Sequence, residues 1–193
     1  QSFYDQALRA NPKFCKARVA LGLKALESGN TAAAEREFGQ SVADDPQCTE
    51  GYVNMAILQR KRGIEGNREA LANLRRALAI DAQYLPAFNE MALLYLSEAA
   101  DNEKKLDLAE VVCSQAQKIN AGYAPIYNTW GLIDLRRGKI IDASAKFQRA
   151  IDRAKRKAGI YTAEEDIAQW RRVSEACDDQ VFAAEAQAAA IEA

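Results

Sequence analysis

The feature that most constrains this chain is an internal repeat that occurs four times. Copies begin at residues 15, 49, 85 and 124, which gives intervals of 34, 36 and 39 residues. The first copy carries Gly22, Ala34 and Phe38, and the fourth carries Gly131 and Phe147 at matching offsets. Repeat units of this length bury an apolar face only by stacking on their neighbours, so the pattern predicts a repeat array.

Each copy has the pattern of two helices joined by a turn. A small residue in the first helix lets the second helix approach closely, and this position holds Gly22, Ala56, Ala92 and Gly131. Glycines that can end the first helix follow at Gly29, Gly63 and Gly138. Apolar residues then recur at i, i+4 and i+7 along the second helix, and Pro46 stops one of these helices. We therefore predict an all-α fold.

The motif Leu21-Gly22, Ala34, Phe38, Pro46 resembles the tetratricopeptide repeat (TPR). This resemblance implies a right-handed superhelix, an α-solenoid of helix-turn-helix repeats. It also implies that the first helix of each pair lines a concave groove. In TPR domains that bind chaperone C-termini this face carries a clamp of Lys, Arg and Asn. Val19 and Leu23 stand where the first Lys and Asn of that clamp would be, which disfavours a chaperone tail as the ligand.

We predict a TPR array over residues 1–161 and a C-terminal helix over residues 162–193. The array comprises a half repeat at 1–14 and repeats at 15–48, 49–84, 85–123 and 124–161. Tyr4, Leu8 and Pro12 match the last half of a further repeat, and no initiator Met precedes them. We therefore expect the sequence to be a piece of a longer array.

Two of the repeats contain insertions. The run from Ile64 to Asn67 adds two residues to the second repeat, and we expect it to lengthen the turn between the helices. The run from Ala99 to Lys105 adds five residues to the third repeat. Such insertions map to loops on one face of a repeat array. They are either tolerated surface loops or partner contacts.

The C-terminal segment has a different pattern. The second helix of the fourth repeat is expected to reach Ala158, with Gly159 as its terminator. Thr162 and Glu165 then form a capping box. The stripe that follows, at alternating steps of three and four, comprises Ile167, Trp170, Ser174, Cys177, Val181, Ala184, Ala188 and Ile191. This helix either caps the last repeat or docks on a partner, and Asp178-Asp179 could divide it in two.

The composition argues against catalysis. The chain contains no His, which is the commonest general base and metal ligand, so we expect no catalytic residues, no cofactor and no metal. The net charge of −1 gives no attraction for nucleic acid, and no apolar run of 18 residues could span a membrane. We expect Cys15, Cys48, Cys113 and Cys177 to be free thiols, which favours a reducing compartment such as the cytoplasm.

An asparagine row on the first helices is the candidate binding site. An amide carries both donors and an acceptor, so it can pair with a peptide backbone of any sequence. Apolar residues accompany the row and could hold side chains of a ligand. The predicted groove residues are Asn54, Asn89, Asn128, Leu23, Ile57, Leu93, Leu132 and Arg60. The alternative is that they only pack against neighbouring repeats or the C-terminal helix.

A second resemblance concerns the stretch from Leu106 to Phe147. With its run Val112-Cys113-Ser114-Gln115-Ala116 it is similar to the TPR lipoproteins of myxobacterial adventurous gliding motility. That resemblance implies a bacterial scaffold in the periplasm, anchored at the outer membrane.

The sequence as a whole leaves two candidate functions. The chain binds a peptide or helical segment of a protein partner in its groove, or it is a structural subunit of a larger envelope or motility complex.

Overall fold

The computed structural model describes residues 3–100, 102–156 and 168–180, and these residues form ten helices and no strand. The all-α prediction is confirmed. The helices are α1 (Phe3–Ala10), α2 (Cys15–Glu27), α3 (Thr31–Asp44), α4 (Thr49–Arg60), α5 (Ile64–Ile80), α6 (Leu85–Ser97), α7 (Glu103–Ile119), α8 (Ala124–Arg136), α9 (Ile140–Arg156) and α10 (168–180).

The helices fall into two compact units, Gln1–Ser97 and Glu98–Ala193. In the first unit α2 packs against α3 and α4 packs against α5, and each successive pair stacks on the one before it. In the second unit α8 and α9 form the most extensive helix–helix contact, and α7 packs against α8. Each pair is therefore a helical hairpin whose free apolar face is covered by the next helix.

The turns inside three hairpins depend on glycine. Gly29, Gly63 and Gly138 have φ angles of 76°, 75° and 72°, a conformation that residues with a side chain rarely adopt. Each follows the end of a first helix, as the sequence predicts. Asn30 then accepts a hydrogen bond from the backbone N–H of Ala33 at 3.0 Å and caps α3.

Helix approach within a hairpin depends on the small residue of the first helix. A Cβ atom placed on Gly22 would lie 2.3 Å from the ring of Phe38, and one on Gly131 would lie 2.7 Å from the ring of Phe147. Both rings are fully buried. The predicted pairing of a small residue with a large one therefore sets the distance between the two helices.

The two insertions differ from each other in the structure. The expectation that Ile64 to Asn67 lengthen a turn is wrong, because these residues form the first turn of α5, which has 17 residues against 14 in α3. The helical path brings Gly66 against α4, where a Cβ atom would lie 1.9 Å from the carbonyl oxygen of Gln59. The other run is partly a loop, but Glu103 already begins α7.

The prediction of four free thiols is wrong for two of the cysteines. Cys15 and Cys48 form a disulfide with a Cα–Cα distance of 5.8 Å. They lie 33 residues apart, close to one repeat period, and stacking brings equivalent ends of successive repeats together. Cys113 and Cys177 are free and buried, and burial raises the pKa of both thiols. Cys113 is fully buried in α7, the second helix of its repeat.

Helix α10 packs on the last hairpin. Cys177 belongs to a buried cluster with Ala143 and Phe147 of α9, and Ser144 donates a hydrogen bond to Asp178 at 2.5 Å. Trp170 is also buried. The helix contains both Asp178 and Asp179, so the chain is not broken between them. The predicted capping box, terminator Gly159, Ile167 and the stripe from Val181 onward lie outside the described residues.

Candidate partner-binding surface

The first unit presents apolar side chains on its first helices. Leu23 of α2 is 44% exposed, although the preceding residue, Gly22, is buried. Ile57 of α4 and Leu93 of α6 are half-buried. We call the accessible side of the first helices, on which these residues lie, the first-helix face. It offers apolar side chains of intermediate accessibility to a ligand.

Amide side chains lie on the same helices. Asn54 of α4 and Asn89 of α6 are half-buried. The side-chain nitrogen of Asn54 donates to the carbonyl oxygen of Glu50, one turn earlier, at 2.8 Å. That bond uses one of its two N–H donors, so the second donor and the carbonyl oxygen are the groups that can bind a ligand.

The predicted cation of this face is engaged within the protein. Arg60 donates from Nη2 and Nε to the same carboxylate oxygen of Glu90, at 3.0 and 3.2 Å. Both side chains are largely buried, with 23% and 14% exposure. The pair joins α4 to α6. Arg60 is therefore a link between repeats rather than an unmatched charge for a ligand.

The second unit places its two predicted site residues on α8. Asn128 and Leu132 are both half-buried. Leu132 packs against the cluster of Ala143, Phe147 and Cys177, so part of its surface is used by the core under α10. Asn54 and Asn89 belong to one unit and Asn128 to the other. The row of three asparagines therefore stays a prediction.

The sequence did not predict a second feature of α8, a buried carboxylate, Asp134, that is paired with a lysine of α9. Lys146 lies 4.6 Å from the ring centroid of Trp130 and 3.3 Å from a carboxylate oxygen of Asp134. Burial raises the pKa of Asp134, and the neighbouring Lys146 opposes that shift. The arrangement holds α9 to α8. Nothing in a single sequence indicates it, because the three residues meet only when the hairpin closes.

A second missed feature joins α7 to the end of α8. The guanidinium of Arg137 is only 9% exposed and contacts Glu103 at 2.6 Å, Asp107 at 2.5 Å and Glu110. The hydrogen bond from Arg137 lowers the pKa of Glu110. A single sequence does not indicate this cluster, because the three carboxylates are 27 to 34 positions from Arg137 and meet it only when the helices pack. These contacts hold successive repeats together.

The disulfide forms part of a surface cavity in the first unit. The cavity has a volume of about 370 Å³, and both cysteines line it together with Phe14, Lys16 and Tyr84. The turns that precede α2, α4 and α6 all contribute to its wall. The spacing of Cys15 and Cys48 by nearly one period is the signal that could have revealed the bond.

Among residues 3–100, 102–156 and 168–180 no group of three or more His, Cys, Asp or Glu side chains could hold a metal ion. In the same part of the chain no helix has the length and apolar character needed to cross a bilayer.

The packing of these hairpins is shared with a solved structure of known repeat type. No protein-family model matches the chain. TTC0263, a thermophilic TPR protein of Thermus thermophilus, superposes with a TM-score of 0.70 at 21% identity, over 90% of this chain and 86% of that one. The chain has the fold of a tetratricopeptide-repeat array.

Other similar proteins are larger chains or parts of assemblies. A chain of the Cut9–Hcn1 hetero-tetramer of APC/C superposes on this chain with a TM-score of 0.78 at 15% identity, over 92% of this chain and 32% of that one. The mitochondrial import receptor subunit TOM70 of Rattus norvegicus is 26% identical over 159 residues, or 79% of this chain. The chain spans about a quarter of the length of that curated relative.

Proposed function

We propose that the chain is a non-enzymatic protein–protein interaction scaffold that binds a peptide or helical segment of a partner on its first-helix face. The observation that carries the proposal is the accessible apolar side chain of Leu23, with Ile57 and Leu93 on the following first helices. A receptor subunit and a subunit of a hetero-tetramer among the similar proteins support protein binding over catalysis.

The chemistry of the face favours an extended segment with apolar side chains. Leucine and isoleucine supply apolar surface at about 25 cal/mol per Å² buried. The free donor and carbonyl oxygen of Asn54 can pair with a backbone amide of the ligand. Arg60 is neutralised by Glu90, so a ligand gains little from an acidic group at that place. The ligand is therefore apolar and uncharged where it meets α4.

The experiment begins with a peptide selected from a display library against the immobilised chain. We expect the triple variant Asn54→Ala, Asn89→Ala, Asn128→Ala to weaken its binding at least about tenfold, since each lost hydrogen bond contributes about 1 kcal/mol. A control variant removes three exposed amides from second helices, namely Gln40, Gln115 and Gln148. Equal affinity in both triple variants would contradict binding on the first-helix face.

A structural role in a larger assembly is the alternative. The packing of Leu132 against the cluster under α10 favours it, because part of a predicted groove residue is already occupied by the chain's own core. In that case binding depends on the ends of the array or on the C-terminal helix. Binding lost with the C-terminal segment and kept in the triple Asn variant would support this second function. The resemblance of residues 106–147 to gliding-motility lipoproteins stays a prediction.

Nucleic acid is the partner that the charge disfavours. The net charge is −1, and four of the described arginines, Arg18, Arg60, Arg62 and Arg137, are paired with carboxylates. We therefore expect no measurable affinity for a labelled single-stranded RNA at physiological salt. Salt-dependent RNA binding that competes with the selected peptide would contradict a protein ligand and indicate that the natural ligand is a nucleic acid.

A further inference from the structure

The disulfide lies at an accessible junction between the first two complete repeats. Cys15 is the first residue of α2, and Cys48 immediately precedes α4. Cys48 is 2% exposed and belongs to a buried cluster with Phe38 and Leu58, whereas Cys15 is half-buried and packs at the edge of that cluster. The bond therefore has one sheltered sulfur and one more accessible sulfur, and both line the surface cavity.

We propose that the Cys15–Cys48 bond is a thiol–disulfide exchange site at which a dithiol reductant controls how firmly α2 is held to α4. Exchange needs an access path to one sulfur and a place for the leaving thiolate. The cavity of about 370 Å³ supplies the path, because both cysteines lie in its wall.

The geometry also supplies the place for the leaving group. Cys48 is the residue that precedes the first turn of α4, whose backbone N–H groups point back toward it. Gly51 lies in that turn, and a Cβ atom placed there would be 2.9 Å from Sγ of Cys48. Glycine at this position therefore leaves room for the sulfur beside the first turn of α4.

The reaction proceeds in two balanced steps. A thiolate of the dithiol attacks Sγ of Cys15, the bond between the two protein sulfurs breaks, and its electron pair leaves on Sγ of Cys48, which then takes a proton. The second thiolate of the reductant then attacks the reductant's other sulfur, which is bonded to Cys15 in the mixed disulfide. Cys15 leaves as a thiolate and is also protonated. The protein disulfide gains two electrons and two protons, and the dithiol becomes a disulfide.

The consequence concerns two first helices. Helices α2 and α4 contact each other less than each contacts α3, so the covalent bond is a main link between them at this end. Reduction therefore frees the start of α2 relative to α4. These helices carry Leu23 and Ile57, so the spacing of two proposed ligand contacts changes with the redox state, a step that rests on the proposed function.

The test uses the folded full chain, with dithiothreitol as the reductant. After a short exposure without denaturant, the free thiols are blocked with N-ethylmaleimide and located by peptide mass mapping. We expect adducts on Cys15 and Cys48 only, because reduction frees the starts of α2 and α4, whereas Cys113 and Cys177 stay buried unless the chain unfolds globally. Adducts that appear on all four cysteines together, or on none, would overturn the proposal.

Single variants identify the attacked sulfur. Cys48→Ser leaves Cys15 as a free thiol, and Cys15→Ser leaves Cys48. We expect Cys15 to react with a disulfide reagent at least about tenfold faster than Cys48, because access limits exchange at a buried sulfur. Faster reaction at Cys48 would contradict the assignment of Cys15 as the attacked atom. Failure of either variant to fold leaves the labelling of the unaltered chain as the deciding measurement.

Hydrogen exchange tests the consequence for the helices. Reduction of the unaltered chain should raise amide exchange in the first turns of α2 and α4, while α8 and α9 of the other unit serve as the internal control. Unchanged exchange in α2 and α4 after complete reduction would show that the bond does not control them. None of these measurements uses a ligand, so they can fail or succeed independently of the proposed binding face.

Discussion

At the scale of single residues, the tightest constraint in the first repeat is the gap between Gly22 and Phe38. A methyl group on Gly22 would overlap the ring of Phe38 at 2.3 Å. In the second repeat, Ala56 takes the place of Gly22 and is larger, while Leu74 takes the place of Phe38 and is smaller. Both residues are buried. The two positions therefore compensate each other in volume, which explains why the repeat pattern tolerates both pairs.

The first prediction follows from that compensation. Gly22→Leu should lower the free energy of unfolding by about 1–3 kcal/mol, since overpacking forces the two helices apart. Gly22→Ala should also destabilise, and adding Phe38→Leu should restore part of the loss. Gly39→Ala is the control, because a Cβ atom there has no neighbour within 4 Å. Urea denaturation checks the series, and equal losses at Gly22 and Gly39 would contradict it.

The second prediction concerns two carboxyl groups with opposite pKa shifts. The pKa of Glu110 is lowered by Arg137, so its stabilising effect is complete above its usual value of 4.5 and is lost as the pH falls through its folded value. The pKa of Asp134 is raised by burial, so its contribution is complete below the usual value of 3.8 and is lost as the pH rises through its folded value.

Variants of the two groups should therefore change the acid limb of the stability profile in opposite directions. Glu110→Gln should make stability fall less between about pH 5 and pH 3, whereas Asp134→Asn should make it fall more. Denaturation midpoints at each pH measure both slopes. Parallel profiles for the two variants would mean that neither group is coupled to folding.

The residue-level features that the sequence predicts are local, and those that it does not predict depend on contacts between distant parts of the chain. The small residues and the turn glycines could be predicted, because their constraint is local and recurs at each period. Arg60 could be placed on the first-helix face but not paired with Glu90, since the two residues are 30 positions apart and meet only through stacking. The same reason hides the disulfide, and it hides the helical path of Ile64 to Asn67, which depends on contact with α4.

At the scale of secondary-structure elements, the disulfide joins two helices that share little other contact. Its loop spans 33 residues, and closing a loop of that size restricts the unfolded chain. The third prediction is that the double variant Cys15→Ser, Cys48→Ser loses about 2–4 kcal/mol of unfolding free energy. Thermal or urea denaturation measures the loss.

The same measurement contains its own control. Addition of dithiothreitol should destabilise the unaltered chain to about the level of the double variant and should leave the double variant unchanged. If the reductant destabilised the unaltered chain and the double variant equally, its effect would come from Cys113, from Cys177 or from a general change in the solvent. In that case the bond would not be the link that stabilises α2 against α4.

At the scale of the whole molecule, a repeat array must cover the apolar end of its last hairpin. In the second unit this cover is α10, which buries Trp170, Ser174 and Cys177 on one side while Arg171, Arg172 and Glu175 face solvent. A polar outer side over an apolar inner side is what a terminal helix of an array needs. The sequence predicts this stripe, but a single sequence does not distinguish a cap from a docking helix.

The fourth prediction separates these two roles by truncation. Removal of all residues after Gly159 should lower the melting temperature and promote aggregation, because it exposes Phe147 and Ala143 and loses the burial of Trp170, worth about 2–3 kcal/mol alone. Removal of all residues after Asp179 keeps the buried side of α10 and should cost much less. Calorimetry and light scattering compare both proteins with the full chain. If the shorter protein kept its stability and solubility but lost a partner that the longer one binds, α10 would be a docking helix, and the last hairpin would be stable without a cover.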